Sequence, residues 1–187
     1  MSLFDFIGRS RQFEARLGAS RCRLLRLAHS WCHNRSLAED LVQEALAKAL
    51  ARHDQLREPE AMHAWLCSIL VNCWHDYLRQ RKETLDIDGI EEQDLPSACC
   101  PEEDCLKNEV VRRVRQAVGK LPPGQREVVT LVDLEEFSYA EVAAILQIPI
   151  GTVMSRLSRA RASLREALRE PRMNATGASG VVLKLRG

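Results

Sequence analysis

The sequence predicts an all-α protein of two small helical domains joined by a flexible acidic linker, the second domain containing a helix-turn-helix. Three observations carry this prediction. Apolar residues recur every three to four positions through most of the chain, the period of an amphipathic helix. Ala, Leu, Arg and Glu are abundant while aromatic residues make up only 5%, a composition that favours helix. Between residues 83 and 104 the periodicity stops. Nine acidic residues stand there with no basic one, so two helical blocks flank a strip that cannot bury a core. The predicted divisions are a first domain at 1–83, a linker at 84–104, a second domain at 105–170 and a disordered tail at 171–187.

The net charge of +1 names no partner, but its distribution is informative. Residues 1–82 carry 13 basic and 9 acidic groups, and residues 105–187 carry 14 and 8, so two mildly basic blocks flank the acidic strip. No secretory signal is legible, because the apolar run at 3–7 is short and contains Asp5. The longest apolar run, 64–71, includes Ser68 and is too short to span a bilayer. A cytoplasmic protein without membrane insertion is expected, its seven cysteines present as reduced thiols.

Taken in order, residues 9–33 read as a helix. Phe13, Leu17, Leu24, Leu27, Ala28 and Trp31 form its apolar stripe, and Gly18 is a weak point. A turn at 34–36 follows. Ser36 with Glu39 three residues on has the spacing of a capping box. The helix it opens runs to about residue 53, burying Leu37, Leu41, Ala45, Leu46 and Leu50. Its other face holds Glu39, Asp40, Gln43, Glu44 and Lys48, which by residue type alone is a solvated surface. After a loop at 54–59, a third helix spans 60–82, apolar at Ala61, Trp65, Leu66, Ile69, Leu70 and Cys73. It ends with Asn72, His75, Asp76, Tyr77, Arg79, Arg81 and Lys82. Trp31, Trp65, Trp74 and Tyr77 read as core. Beside basic residues some could instead stack on unpaired bases, since every base has a face to stack on.

The second domain opens with a helix at 105–119, with Leu106, Val110, Val114 and Val118 inside. The corner at 121–124 places Pro123 in the first turn of the next helix, where its missing amide costs nothing. Residues 125–134 follow, with Val128, Val129, Leu131 and Val132 buried. Ser138 and Glu141 form a second capping box, and Ala143, Ala144, Ile145 and Leu146 continue that helix. The turn at 147–151 breaks it, because Pro149 lacks an amide donor and Gly151 tolerates a strained backbone. Thr152 opens the last helix, in which Val153, Leu157, Ala160 and Leu164 make one buried stripe. Ser155, Arg156, Ser158, Arg159 and Arg161 lie off that stripe. Two helices joined by a tight turn, the second bearing a row of arginines, is the arrangement that enters a DNA major groove. The bland alternative is a helical hairpin with a solvated basic face.

No phosphate-cradling glycine loop, Ser-His-Asp arrangement or paired-carboxylate constellation is present at a readable spacing, so neither an enzyme nor a cofactor is expected. His29, Cys32 and His33 sit at i, i+3 and i+4, which could put three metal ligands on one helix turn. Cys99, Cys100 and Cys105 flank the end of the linker. Buried or incidental thiols are the ordinary reading of both clusters, and no metal is predicted.

Three motifs in this order resemble the extracytoplasmic-function (ECF) sigma factors of bacterial RNA polymerase, over about residues 10–168. The stretch 38–44 (AEDLVQE) is similar to that family's polymerase-binding helix. The stretch 64–72 (AWLCSILVN), followed by Asp76, Tyr77, Leu78 and Arg79, is similar to its promoter-melting helix. The stretch 121–161 resembles its upstream-promoter helix-turn-helix. The resemblance implies that Asp40, Gln43 and Glu44 dock on core RNA polymerase. It implies that Asn72, with the loop before Trp65, helps hold a flipped base of the single-stranded minus-ten element. Trp65 itself would be mostly core. Asp76 belongs to the same stretch, and Arg79, Arg81 and Lys82 would hold backbone phosphate. Thr152 opens the reading helix. Ser155, Arg156, Ser158 and Arg159 would face the duplex minus-thirty-five element, with Arg161 on phosphate. It also implies an anti-sigma partner wedged between the two domains.

Two positions depart from the family pattern. Many relatives carry Arg where this chain has Met154 and an aromatic near Ser158, so a shifted promoter preference is expected. Cys67 stands where a Tyr or Phe is usual, which implies a smaller side chain near the melting loop. A stand-alone helix-turn-helix regulator is the other reading. It accounts for residues 138–165 but not for the 38–44 or 64–79 stretches.

Overall fold

The computed structural model describes the backbone of residues 3–56, 58–88 and 105–169 and the side chains of 13–56, 58–81 and 110–169. Among them the chain is all-α. Seven α-helices follow one another: α1 (Leu3–Cys32), α2 (Arg35–Ala51), α3 (Met62–Asp88), α4 (Cys105–Gly119), α5 (Pro123–Asp133), α6 (Tyr139–Leu146) and α7 (Ile150–Arg169). Short 3-10 turns at His53–Gln55 and Pro59–Ala61 link α2 to α3. Among the described residues no single helix is long and apolar enough to cross a membrane.

In the first domain α2 lies between α1 and α3. Leu24, Leu27, Ala28 and Trp31 of α1, Leu41, Val42 and Ala45 of α2, and Leu66, Leu70 and Val71 of α3 are all buried. The buried stripe of α2 runs through Ala38, Leu41, Val42, Ala45 and Ala49. It is rotated by about one position from the predicted stripe. Leu37 and Leu46 therefore sit at its edge and Leu50 is exposed. Ala61 and Val110, also predicted inside, are exposed as well.

Helix ends follow local chemistry. Asn34, not Ser36, caps α2: its side-chain oxygen accepts the Leu37 amide at 3.0 Å, while Glu39 accepts from Arg35 at 3.0 Å. Asn34 lies one residue before the helix and has the extended backbone that a cap needs, so it takes the orphan amide first. Helix α3 continues six residues past the predicted end at Lys82, because the first helix breaker downstream is Gly89. The predicted boundary at 83–84 thus falls inside a helix. Residues 89–104, which make up most of the predicted linker, and the predicted tail lie outside the described residues.

In the second domain α7 packs on α4, α5 and α6. The Ser138–Glu141 capping box forms as expected: Glu141 accepts the Ser138 amide at 2.8 Å and Ser138 Oγ accepts the Glu141 amide at 3.3 Å. Those bonds to Ser138 hold the Glu141 carboxyl below its usual range. Ser138 Oγ also donates to the Glu141 carboxylate at 2.7 Å, so Ser138→Ala removes two hydroxyl bonds, and the cap is worth ~1 kcal/mol. We expect a loss of roughly 2–4 °C in Tm by circular dichroism for a chain of this size. An unchanged Tm would show that the cap contributes nothing.

The turn between α6 and α7 is built differently from the expectation. The left-handed residue is Gln147 (φ 54°), not Gly151, and Gln147 and Ile148 both donate their amides to Ala143 O. Pro149 O accepts the amides of Thr152 and Val153, so α7 starts at Ile150 and Gly151 lies within it. The α6 and α7 axes are bent by 105°, within the range of a helix-turn-helix.

The two domains are docked. Helix α1 lies against α4 and α5, and α3 lies against α6. Buried side chains of both domains form one continuous cluster. The gap expected between the domains, where a partner would wedge, is closed by direct contact.

Candidate functional site

Three surfaces carry the residues singled out by sequence. The first is the acidic face of α2. Burial of the opposite stripe leaves Glu39, Asp40, Gln43 and Glu44 exposed. Lys48 donates to Glu44 at 2.7 Å, and that bond raises the Lys48 pKa above its ordinary value. Lys48 also lies 3.8 Å from Asp76 on α3. Leu37, Asp40, Glu44, Cys73, Asp76 and Tyr77 line a groove of about 300 Å³ between the two helices. The structure therefore places Asp76, assigned by sequence to the α3 group, beside Asp40 and Glu44. Such a groove suits a basic partner segment.

The second surface comprises the outer face of α3 and the stretch that follows its packed part. Asn72, Arg79 and Arg81 are exposed, and Arg79 donates to Asp76 at 3.2 Å. The side chain of Lys82 lies outside the described residues. Trp65 is half-buried and packs at a tilt on Phe13, ring centroids 6.4 Å apart. Cys67 is wholly buried, 3.8 Å from His63 Nε2, and burial pushes its thiol far above the usual range. It faces the interior, one helical turn from His63.

The third surface is α7. Ser158 and Arg159 are exposed, and Thr152, Ser155 and Arg156 are half-buried. Ser155 Oγ donates to Thr152 O at 3.1 Å. The Arg156 guanidinium covers Gly124, its Nη1 2.8 Å from where a Cβ would sit. Arg161 donates to Asp133 of α5 at 2.7 Å, and that bond raises its pKa. Its group is thus engaged inside the domain. Two exposed apolar side chains, Ile150 and Met154, stand on the first turns of the same helix.

The possible metal cluster does not assemble as a helix turn would arrange it. Helix α1 ends at Cys32, and His33 takes a left-handed backbone (φ 53°). Cys32 Sγ donates to Asn34 O at 3.1 Å, and His33 Nε2 lies 3.2 Å from Arg115 O. Cys99, Cys100 and the side chain of Cys105 lie outside the described residues.

Sequence reasoning missed the residues that join the domains. Glu127 and Glu135, both buried, accept hydrogen bonds from α1 and α3. The available signal was a pair of charged residues, Arg126 and Glu127, inside an apolar helix whose valines already account for its other face.

The two docked units each match a separate family model: Sigma-70 region 2 over residues 19–84 and Sigma-70, region 4 over residues 112–164. The ECF RNA polymerase sigma factor EcfG of Rhodopseudomonas palustris (strain TIE-1) is 38% identical over 136 residues, covering 72% of this chain and 73% of that one. The chain belongs to the ECF sigma factors. The sigma-E factor of Escherichia coli (strain K12) is 37% identical over 134 residues, covering 67% of this chain and 70% of its own length. Among solved structures, the sigma factor RpoE from Bartonella quintana, in complex with the anti-sigma factor NepR, superposes with a TM-score of 0.74 at 32% identity. That match covers 87% of this chain and 99% of the other. CnrH, in complex with the cytosolic domain of CnrY, gives 0.57 at 28% identity, covering 85% and 86%. As an ECF sigma factor this protein binds core RNA polymerase and promoter DNA and directs promoter-specific transcription initiation.

Proposed function

We propose that this sigma factor divides its work among the three surfaces. The α2 face of Asp40, Gln43 and Glu44 docks core polymerase. Helix α3 takes the single-stranded minus-ten element, through Asn72 and Arg79 on its outer face and through Arg81 and Lys82 in the basic stretch beyond its packed part. The exposed side of α7, centred on Ser158 and Arg159, reads the duplex minus-thirty-five element. The observation that carries this division is the exposure pattern. On α2, and at Asn72 and Arg79 of α3, the polar residues stand in solvent on the faces opposite the buried stripes, and Arg81 is exposed beyond the packed part of α3. In this reading the protein has no catalytic step of its own and acts in the cytoplasm beside its polymerase. Complexes of the RpoE and CnrH relatives support control by an anti-sigma protein.

The physics suits each role. A base must leave the stack before its pairing edge can be read, at a cost of a few kcal/mol. Binding to polymerase and to phosphate supplies that energy. Arginine's planar fork matches the groove edge of guanine. Arg159 stands exposed for this, whereas Arg161 is held by Asp133.

Runoff transcription with core polymerase, with and without this protein, on a library of the host's promoters tests the assignment. New transcripts are expected. Tight duplex binding by the protein alone, without transcripts, would favour a stand-alone regulator. Once a promoter is known, Arg159→Ala should weaken minus-thirty-five duplex binding by ~1–3 kcal/mol. Arg161→Ala should lower stability by on the order of 1 kcal/mol and change duplex affinity little. Fluorescence anisotropy beside thermal melts separates the two. Equal losses of affinity in both variants would refute the division between them.

A further inference from the structure

The first two turns of α7 present carbon and sulfur to solvent where a reading helix usually presents donors. Ile150 and Met154 are 51% and 54% exposed. With Ser158, also exposed, they follow one another at i, i+4 and i+8, so they form one row along the helix, with Arg159 beside its far end. The hydrogen-bonding groups nearby are drawn inward. Ser155 Oγ donates to Thr152 O at 3.1 Å, and the Arg156 guanidinium lies over Gly124 of α5.

Gly151 stands exposed in the same first turn, and its backbone is helical rather than left-handed. A Cβ at this position would meet no atom of the described residues within 4 Å outside its own turn. Neither packing nor backbone geometry calls for glycine there, and alanine is the better helix former. A bare first turn instead lets a surface from outside come close to the backbone, a common use of glycine beside a ligand.

The N-terminal residues of a reading helix are those that meet base edges. In the major groove adenine, guanine and cytosine offer donors and acceptors, and only thymine adds an apolar group, its C5 methyl. Ile150 and Met154 have nothing to give a polar edge and would leave it unpaired, at a cost. Against a methyl they gain by burial. The two side chains alone fall far short of the roughly 800 Å² per partner that a stable protein interface buries. A methyl group needs only a few apolar atoms. Met154 precedes Arg159 by five residues, a rise of about 7.5 Å or roughly two base-pair steps.

We propose that Ile150 and Met154 seat thymine methyl groups of the minus-thirty-five element, α7 entering the major groove by its first turn over Gly151. They thereby set a thymine preference beside the guanine that Arg159 reads. This rests on the promoter reading of α7 above. The test uses holoenzyme assembled from core polymerase and the full-length protein, with promoter duplexes randomised over the minus-thirty-five element. Repeated selection should recover an element with a guanine whose preference is lost in Arg159→Ala, and a thymine on either strand within about three base pairs of it.

Each dT of that element is then replaced by dU, which removes the methyl and keeps every hydrogen-bonding group. At one or two positions the dU duplex should compete about fourfold less well for the parent holoenzyme, the equivalent of one buried methyl. Ile150→Ala and Met154→Ala should each bind dT and dU duplexes equally at the position that residue seats. Circular dichroism checks the helix content of both variants. The dU exchange alters no protein atom, so the parent measurement stands by itself. Gly151→Ala should weaken binding severalfold without lowering Tm. Equal binding of dT and dU duplexes by the parent at every position overturns the methyl readout. So does discrimination that persists in Ile150→Ala/Met154→Ala, or an element with no thymine near the guanine. Undiminished affinity in Gly151→Ala overturns the approach by the first turn. Failure to enrich any upstream element would overturn the promoter reading of α7 and this inference with it.

Discussion

Replacing Asp40 and Glu44 together by lysine is expected to weaken core-polymerase binding by at least a hundredfold while leaving the fold intact. Both side chains are exposed, so little packing is lost. The reversal changes the acidic side of the α2–α3 groove into a basic one, with Lys48 already there and only Asp76 left to balance it. Like charges placed against a basic partner cost several kcal/mol, and each 1.4 kcal/mol is tenfold in affinity. Polymerase titrations monitored by anisotropy, with runoff transcription in parallel, measure the effect. Wild-type affinity in this variant would remove α2 from the polymerase interface. Glu39→Lys, on the same helix but outside the groove lining, should show a smaller loss.

The second large effect is structural. Arg126 donates to Trp31 O across the domain junction and to Gly119 O at 2.5 Å and Leu121 O at 3.0 Å within its own domain. It thereby satisfies two carbonyls at the end of α4 and one at the end of α1. Arg126→Met keeps much of the side chain's bulk and removes all three bonds. Charged hydrogen bonds contribute ~1.5–3 kcal/mol each, and some of the orphaned carbonyls will find water, so a net loss of ~3 kcal/mol is expected. Tm should fall by roughly 6–12 °C in a chain of this length. Arg126→Lys should recover only part of that, because one ammonium cannot span three acceptors in the plane of a guanidinium fork. Full recovery by lysine would mean that charge alone, not the fork, sets the contribution.

Much of the architecture was legible because helices announce themselves locally. Apolar spacing and capping signals located each α-helix among the described residues, and Pro149 marked the turn before α7. The errors were also local in kind. Helix α3 outran its predicted end because acidic residues at 83–88 read as linker when only Gly89 breaks the helix. The α2 stripe was misread by one position, since alternative sets of apolar residues lie within 100° of each other on one helix. The polymerase and promoter residues could be singled out by residue type, and the family resemblance supplied their roles. The resemblance set Arg159 on the element and Arg161 on phosphate, but the pairing of Arg161 with Asp133 was not legible in either way.

What the sequence determined by itself comprises features built from residues within about four positions of each other. These are the helical stripes, the Ser138–Glu141 cap and the proline-marked turn, whose energies are fixed by backbone and neighbour alone. What only the tertiary structure decided are the pairings over long chain separations. Asp133 takes Arg161 from 28 residues away, and Glu135 takes Arg23 from 112 residues away. The burial of Cys67 and the docking of the two domains belong to the same class. A charge has no partner preference written in its own neighbourhood. Its partner is chosen when packing brings distant groups into a space that water has left.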